Sequence, residues 1–152
     1  MKDEDYIAEI RKAVDGEMQG EILFAALASA AALEHRHKLE ALAGLERRTA
    51  AEMQELVERY ALTVSPANAE KALVRAKKYL GMDWREILGE WATWIPKYVD
   101  LYDRLAEQAR PADAKALNFL AEHERALHDF IALELSGDTD GALARVTALL
   151  KS

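Results

Sequence analysis

An all-α fold is what the sequence predicts: a four-helix bundle with a short crossover helix between the second and third long helices, and a short helix at the C-terminal end. Three observations carry that expectation. Apolar residues recur at helical spacing through four long segments. Alanine, leucine, glutamate, lysine and arginine, all strong helix formers, dominate the composition. Seven glycines and three prolines in 152 residues leave little room for the turns of a sandwich or barrel.

The first helix is expected from about Asp3 to Leu33, with Ile7, Ile10, Val14, Met18, Phe24, Ala25 and Ala28 on its apolar stripe. Glu21 falls at the centre of that stripe and Glu17 one turn earlier, near its edge. Glu34-His35-Arg36-His37 reads as a short polar connection, which makes the first two helices antiparallel neighbours. The second helix runs to about Tyr60, placing Leu39, Leu42, Leu45, Met53 and Leu56 inward, with Glu46 and Thr49 on the same stripe. Thr63-Val64-Ser65-Pro66 breaks the pattern, and Ser65 with Pro66 reads as an N-cap and first helical position. A shorter helix follows to Leu80, stopped by Gly81. Such an insert carries the chain from one end of the bundle to the other.

The third long helix starts near Asp83 and runs to about Arg110, with Trp84, Ile87, Leu88, Trp91, Ile95, Tyr98 and Tyr102 on one face. Pro96 is expected to kink it by removing a backbone hydrogen bond. The fourth runs from Pro111 to Leu135, with Leu117, Leu120, Glu124, Leu127, His128, Ile131 and Leu135 inward. Ser136-Gly137-Asp138 ends it, and a last helix from Gly141 to Leu150 offers Leu143, Val146, Leu149 and Leu150 to the bundle or a partner. No internal repeat or linker divides residues 1–152, which read as one domain.

The formal charge of −7 gives no electrostatic support to a nucleic-acid role. With no cysteine, disulfides, iron–sulfur clusters and thiolate zinc sites are excluded. No apolar run is long enough for a membrane span, and the acidic start Met1-Lys2-Asp3-Glu4-Asp5 carries no signal-peptide core. The expectation is a cytoplasmic protein, without nucleic-acid or membrane partners, forming a homodimer through helix faces.

The chemistry lies in Glu21, Glu46 and Glu124, each in the buried stripe of a different long helix. An unpartnered carboxylate in a bundle core costs several kcal/mol or more. Three helices presenting one suggests convergence on something positive, and iron or manganese takes oxygen and imidazole ligands in such a core. Glu17 is a candidate second carboxylate, and His128, four residues after Glu124, can serve the same ion from one helix. His123 falls off the inward stripe, and His35 and His37 read as surface residues. The competing reading needs no metal: Tyr98 and Tyr102 hydrogen-bond the core glutamates.

Three segments resemble the ferritin-like superfamily, rubrerythrin-type small bacterial bundles above all. They are Gly16-Glu17-Met18-Gln19-Gly20-Glu21, Leu42-Ala43-Gly44-Leu45-Glu46-Arg47-Arg48-Thr49, and Phe119-Leu120-Ala121-Glu122-His123-Glu124-Arg125-Ala126-Leu127-His128. The family's dimetal pattern sets a Glu on the first and third helices and Glu-x-x-His on the second and fourth. Glu21 matches the first position, and Glu46 and Glu124 match the glutamates of the two longer motifs. Thr49 and Leu127 stand where the pattern has histidine, and the third helix has no central carboxylate. The resemblance implies a metal-dependent oxidoreductase acting on dioxygen, peroxide or a small-molecule substrate. The alternative is a metal-free bundle serving as an interaction or small-ligand-binding module. A third is an acid/base enzyme using a carboxylate of raised pKa.

Overall fold

The computed structural model describes residues 2–152. Among them there is helix and no strand: α1 (Asp3–Ala30), α2 (Leu33–Glu52), α3 (Gln54–Arg59), α4 (Asn68–Tyr79), α5 (Trp84–Glu107), α6 (Ala114–Ser136) and α7 (Ala144–Leu150), with a 3-10 turn at Pro111–Asp113. None of these helices is long and apolar enough to cross a membrane.

Asp3, Glu4 and Asp5 open α1, where the helix dipole favours negative charge. The turn after it is tighter than the sequence suggests. Ala31 and Ala32 alone, both with extended ψ near 150°, reverse the chain, so Glu34 to His37 lie within α2. Two alanines suffice because the reversal needs no positive φ, and the helix then restarts at once. The second long segment is not continuous either. It breaks at Met53, which is fully buried, and resumes as α3. Ala61, at a φ of 48°, ends that helix, and Leu62 N–H reaches back to Val57 O in the manner of a Schellman cap.

Ser65 Oγ accepts the Ala67 N–H, as a capping hydroxyl would, but regular α4 begins only at Asn68. Helix α5 continues through Pro96, whose ring is exposed. Gly137, at a φ of 94°, closes α6 with Asp138 N–H on Leu133 O.

Helices α1 and α2 pack as one hairpin and α5 and α6 as another. Their directions follow from side-chain pairs. Lys38 with Glu134 at one end and Arg59 with Asp113 at the other set α2 antiparallel to α6. Helix α4 lies along α1, with Asn68 bonded to Asp15 and Gln19, and delivers the chain to the start of α5. As a result α2 and α5 run the same way. Helix α7 covers the seam between α2 and α6.

The core is in two parts. One apolar cluster contains Leu23, Leu42, Leu45, Trp91, Ile95, Leu127 and Phe130. The other contains Ile10, Val14, Met53, Leu56, Tyr102, Leu117 and Leu120. Between them, at one height, lie Glu17 on α1, Glu46 and Thr49 on α2, and His123 and Glu124 on α6, all buried. A polar layer thus divides two apolar clusters.

Candidate metal centre

Gly20 shapes the α1 wall of this layer. The inward stripe passes through Ile10, Ala13, Glu17, Gly20, Phe24 and Leu27, at alternating three- and four-residue steps. A Cβ at position 20 would lie 2.9 Å from Cδ of Glu46, so the glycine admits that carboxylate against the α1 backbone. Glu46 therefore fills the place a side chain on α1 would take.

His123 is wholly buried on α6. Its Nδ1 lies 2.6 Å from Leu120 O, and because a carbonyl oxygen only accepts, Nδ1 carries the hydrogen. In the neutral ring Nε2 is then a bare lone pair. That nitrogen sits 3.1 Å from Glu17 Oε1, 3.4 Å from Glu46 Oε2 and 3.5 Å from Glu124 Oε2. None of these approaches is aligned as a hydrogen bond, and Glu17 Oε2 likewise has no partner. Ligand atoms of Glu17, Glu46 and His123 all lie within 4.8 Å of one another.

Crowding like charges out of water shifts their titration. Burial, then the charge of Glu17, pushes Glu46 well above the usual carboxylate range, against the opposing effect of His123. Glu124 is raised to about 7, chiefly by burial. Burial alone would lower His123, but Glu17 and Glu46 together raise it well above its ordinary value. Tyr102 is pushed well up by burial and by the three glutamates, so its phenol keeps its proton.

Two residues expected at the site lie elsewhere. Glu21 is one-third exposed and bonds Arg47 Nε at 2.9 Å, on the outer seam of α1 and α2. The stripe centre passes through Gly20, and a position without a side chain leaves no apolar mark in the sequence, so periodicity points to Glu21. His128 is exposed beside Asp129, 3.5 Å away. Helix α6 buries Leu117, Leu120, Glu124, Leu127 and Ile131 as expected, but its covered arc extends to Ala116, His123 and Phe130, seven apart, and leaves His128 outside. That sevenfold spacing was the signal for His123. It was masked because α6 is covered on several sides, by α2, α5 and α7, and so has no single narrow stripe.

Glu46, Glu124 and Glu17 are brought together as buried groups. Thr49, also buried, turns its hydroxyl back to Leu45 O at 2.8 Å. No hydrogen bond joins Tyr98 or Tyr102 to a glutamate among the described residues, so the tyrosine-satisfied arrangement does not form. Glu90, on α5, is paired with Lys78 and Tyr79 away from the layer.

A cavity of about 500 Å³ opens onto the layer. Glu17, Glu46, Glu124 and Tyr102 form one part of its lining, and Phe24, Trp91, Ile95 and Phe130 form much of the rest. Fold and site together define an all-helical protein with a buried carboxylate–imidazole cluster, its carboxylates lining a cavity of mixed polar and apolar character. Comparison with known protein families, with characterised proteins and with solved structures gives no match for this chain.

Proposed function

We propose that Glu17, Glu46 and His123, with Glu124 beside them, hold one divalent iron or manganese ion, in a bundle of ferritin-like type that acts as a metal-dependent oxidoreductase. The observation that carries this reading is His123 Nε2, buried and without a hydrogen bond, within 3.1 to 3.5 Å of oxygens of Glu17, Glu46 and Glu124. Glu17 Oε2 is a second of the five buried side-chain atoms without a partner among the described residues, the others being on His35, Trp84 and Trp91. Buried polar atoms of native proteins are rarely left without partners, and an unseen ion is one explanation for those that are. Three carboxylates and one imidazole are the oxygen-and-nitrogen donor set suited to these ions.

The same residues do not fit a second ion. Thr49 is committed to Leu45 O, Leu127 is apolar, and α5 supplies Tyr102 where the dimetal pattern has a carboxylate. The bound ion would supply one-electron chemistry toward dioxygen, peroxide or a small substrate. Leu120 O fixes the His123 tautomer and ring orientation. Without the ion, Glu124, raised to about 7, can hold or release a proton beside the cluster near neutrality. The apolar wall of Phe24, Trp91 and Ile95 limits water at the cavity end of the layer.

Metal analysis of protein prepared with supplemental iron or manganese tests this. About one equivalent is expected, together with a rise in melting temperature, since an ion that binds only the folded chain stabilises it. Less than about a tenth of an equivalent and no thermal shift would reject it. The cavity's size favours a second reading, a metal-free module binding a small ligand, with His123 as an imidazolium between the carboxylates. In that case Glu46→Gln leaves ligand binding intact, whereas in a metal protein it removes the ion.

A further inference from the structure

Helix α4 is apolar on its outer face as well as its inner one. It lies along α1 and buries Asn68, Ala72, Ala76 and Tyr79. Its branched aliphatic side chains point away: Leu73 is 47% exposed, Val74 61% and Leu80, at the C-cap, 54%. Among the described residues only one other large apolar side chain, Leu33, is exposed. Single exposed leucines are ordinary on a protein surface, but three gathered on one short helix form a patch of the kind that marks a contact.

The charges on this face identify what covers it. At about 100° per residue, Glu70 and Lys77, two turns apart, fall nearly in line along its centre, with Leu73 and Val74 between them on either side. Both charged residues are exposed, and neither enters an ion pair among the described residues. The pairs Glu70 and Lys77, Leu73 and Val74, and Ala67 and Leu80 share one midpoint, between residues 73 and 74. A two-fold axis through that point, perpendicular to the helix, sets Glu70 against Lys77, Leu73 against Val74 and Ala67 against Leu80 of a second copy, twice over. Parallel pairing would oppose like charges, whereas antiparallel pairing also opposes the two helix dipoles favourably. An anionic lipid surface is a poorer match, because the chain carries a net charge of −7 and Glu70 lies at the centre of the face.

We propose that the outer face of α4 is the interface of a two-fold homodimer, in which two copies pair antiparallel through Leu73 and Val74 and exchange Glu70–Lys77 ion pairs. The contact runs from Ala67 to Leu80, roughly 20 Å of helix, at the small end of specific interfaces, so the dimer is weak and reversible. It does not involve the buried carboxylates and stands whether or not they hold a metal.

Sedimentation of the full chain from about 10 μM to about 1 mM tests this, and a monomer–dimer equilibrium is expected within that range. Glu70→Lys and Lys77→Glu, each alone, place like charges together at both ends of the contact and should weaken association about tenfold or more. Mixed in equal amounts, the two variants should associate as tightly as the parent chain, because each then meets its opposite charge. Glu70 lies in the first turn of α4 and Lys77 in the last, so both reversals oppose the helix dipole. That cost is the same alone and in the mixture, and helicity is measured alongside. Leu73→Ser, placed in any of these chains, should weaken association further. A chain that stays monomeric throughout, single variants or a Leu73→Ser chain that pair as well as the parent, or a mixture no tighter than its components overturns the proposal. So does binding to phosphatidylglycerol vesicles by a chain that remains monomeric, which would assign the face to a lipid surface instead.

Discussion

Alanine at position 20 would bring a methyl group 2.9 Å from Cδ and 3.0 Å from Oε1 of Glu46. The carboxylate is the free end of a flexible side chain, so it can swing away at small cost, and alanine is better than glycine in a helix interior by about 1 kcal/mol. Gly20→Ala is therefore expected to leave the melting temperature unchanged or slightly raised while lowering metal affinity by about tenfold or more, because Glu46 loses its position. Thermal melts paired with metal titration check this, and a variant with undiminished affinity would show that Glu46 is not a ligand. At this scale the sequence was only partly legible. Glu46, Glu124 and Glu17 were readable as acidic residues on or near helix stripes. A helix stripe is located by its apolar side chains, which centre α1 on Glu21 and turn α6 toward His128, where the structure places Glu17 and His123 inward. Gly20 has none, and α6 is apolar on too broad an arc to fix its rotation.

The helices are tied together at their ends by buried charges that resemble the central cluster in composition but differ in satisfaction. Asp113, fully buried before α6, accepts from Tyr6 Oη at 2.6 Å, from Tyr60 Oη at 2.5 Å and from Arg59. This joins α1, α3 and α6 at one point, and burial with the Asp113 bond pushes the Tyr6 phenol up to about 12. Asp113→Ala leaves those donors without an acceptor, and the expected loss is about 2–4 kcal/mol, below the cost at a fully buried pair because Arg59 remains one-third exposed. Urea unfolding would measure it; a loss under about 0.5 kcal/mol, the range of an ordinary surface change, would contradict the lock. Element type and order were legible from periodicity, as were the crossover helix and the stop at Gly137. The Ala31–Ala32 turn and the break at Met53 were not, since neither carries a glycine, proline or capping side chain to mark it.

On the scale of the molecule, two apolar halves close around a layer of crowded, buried carboxylates. Glu124 titrates at about 7 in the folded chain against 4.5 for an unperturbed glutamate, so the native form keeps its proton longer. Stability from this group is greatest below its unfolded value and falls as pH rises to about 7, by on the order of 3 kcal/mol. Glu46, raised well above its ordinary value, acts in the same direction. His123, also raised, contributes stability that is complete below its ordinary value and lost as pH rises through the folded one. Metal-free protein should therefore melt progressively lower from about pH 5 to about pH 8. The gain on adding metal should grow over the same interval, because the ion displaces those protons. Melting curves at several pH values, with and without manganese, decide it; a metal-free melting temperature that climbs with pH would refute the assignment of the buried groups.

What the sequence determined by itself is the helical class, the order of the elements and the presence of core carboxylates, because each depends on local propensity and on periodicity along one chain. The meeting of Glu17, Glu46 and His123 depends instead on how far each helix is rotated about its own axis. That rotation is set by neighbours distant in sequence, by the missing side chain of Gly20 and by the cover that α2, α5 and α7 place on α6, so it was decided only when the helices packed.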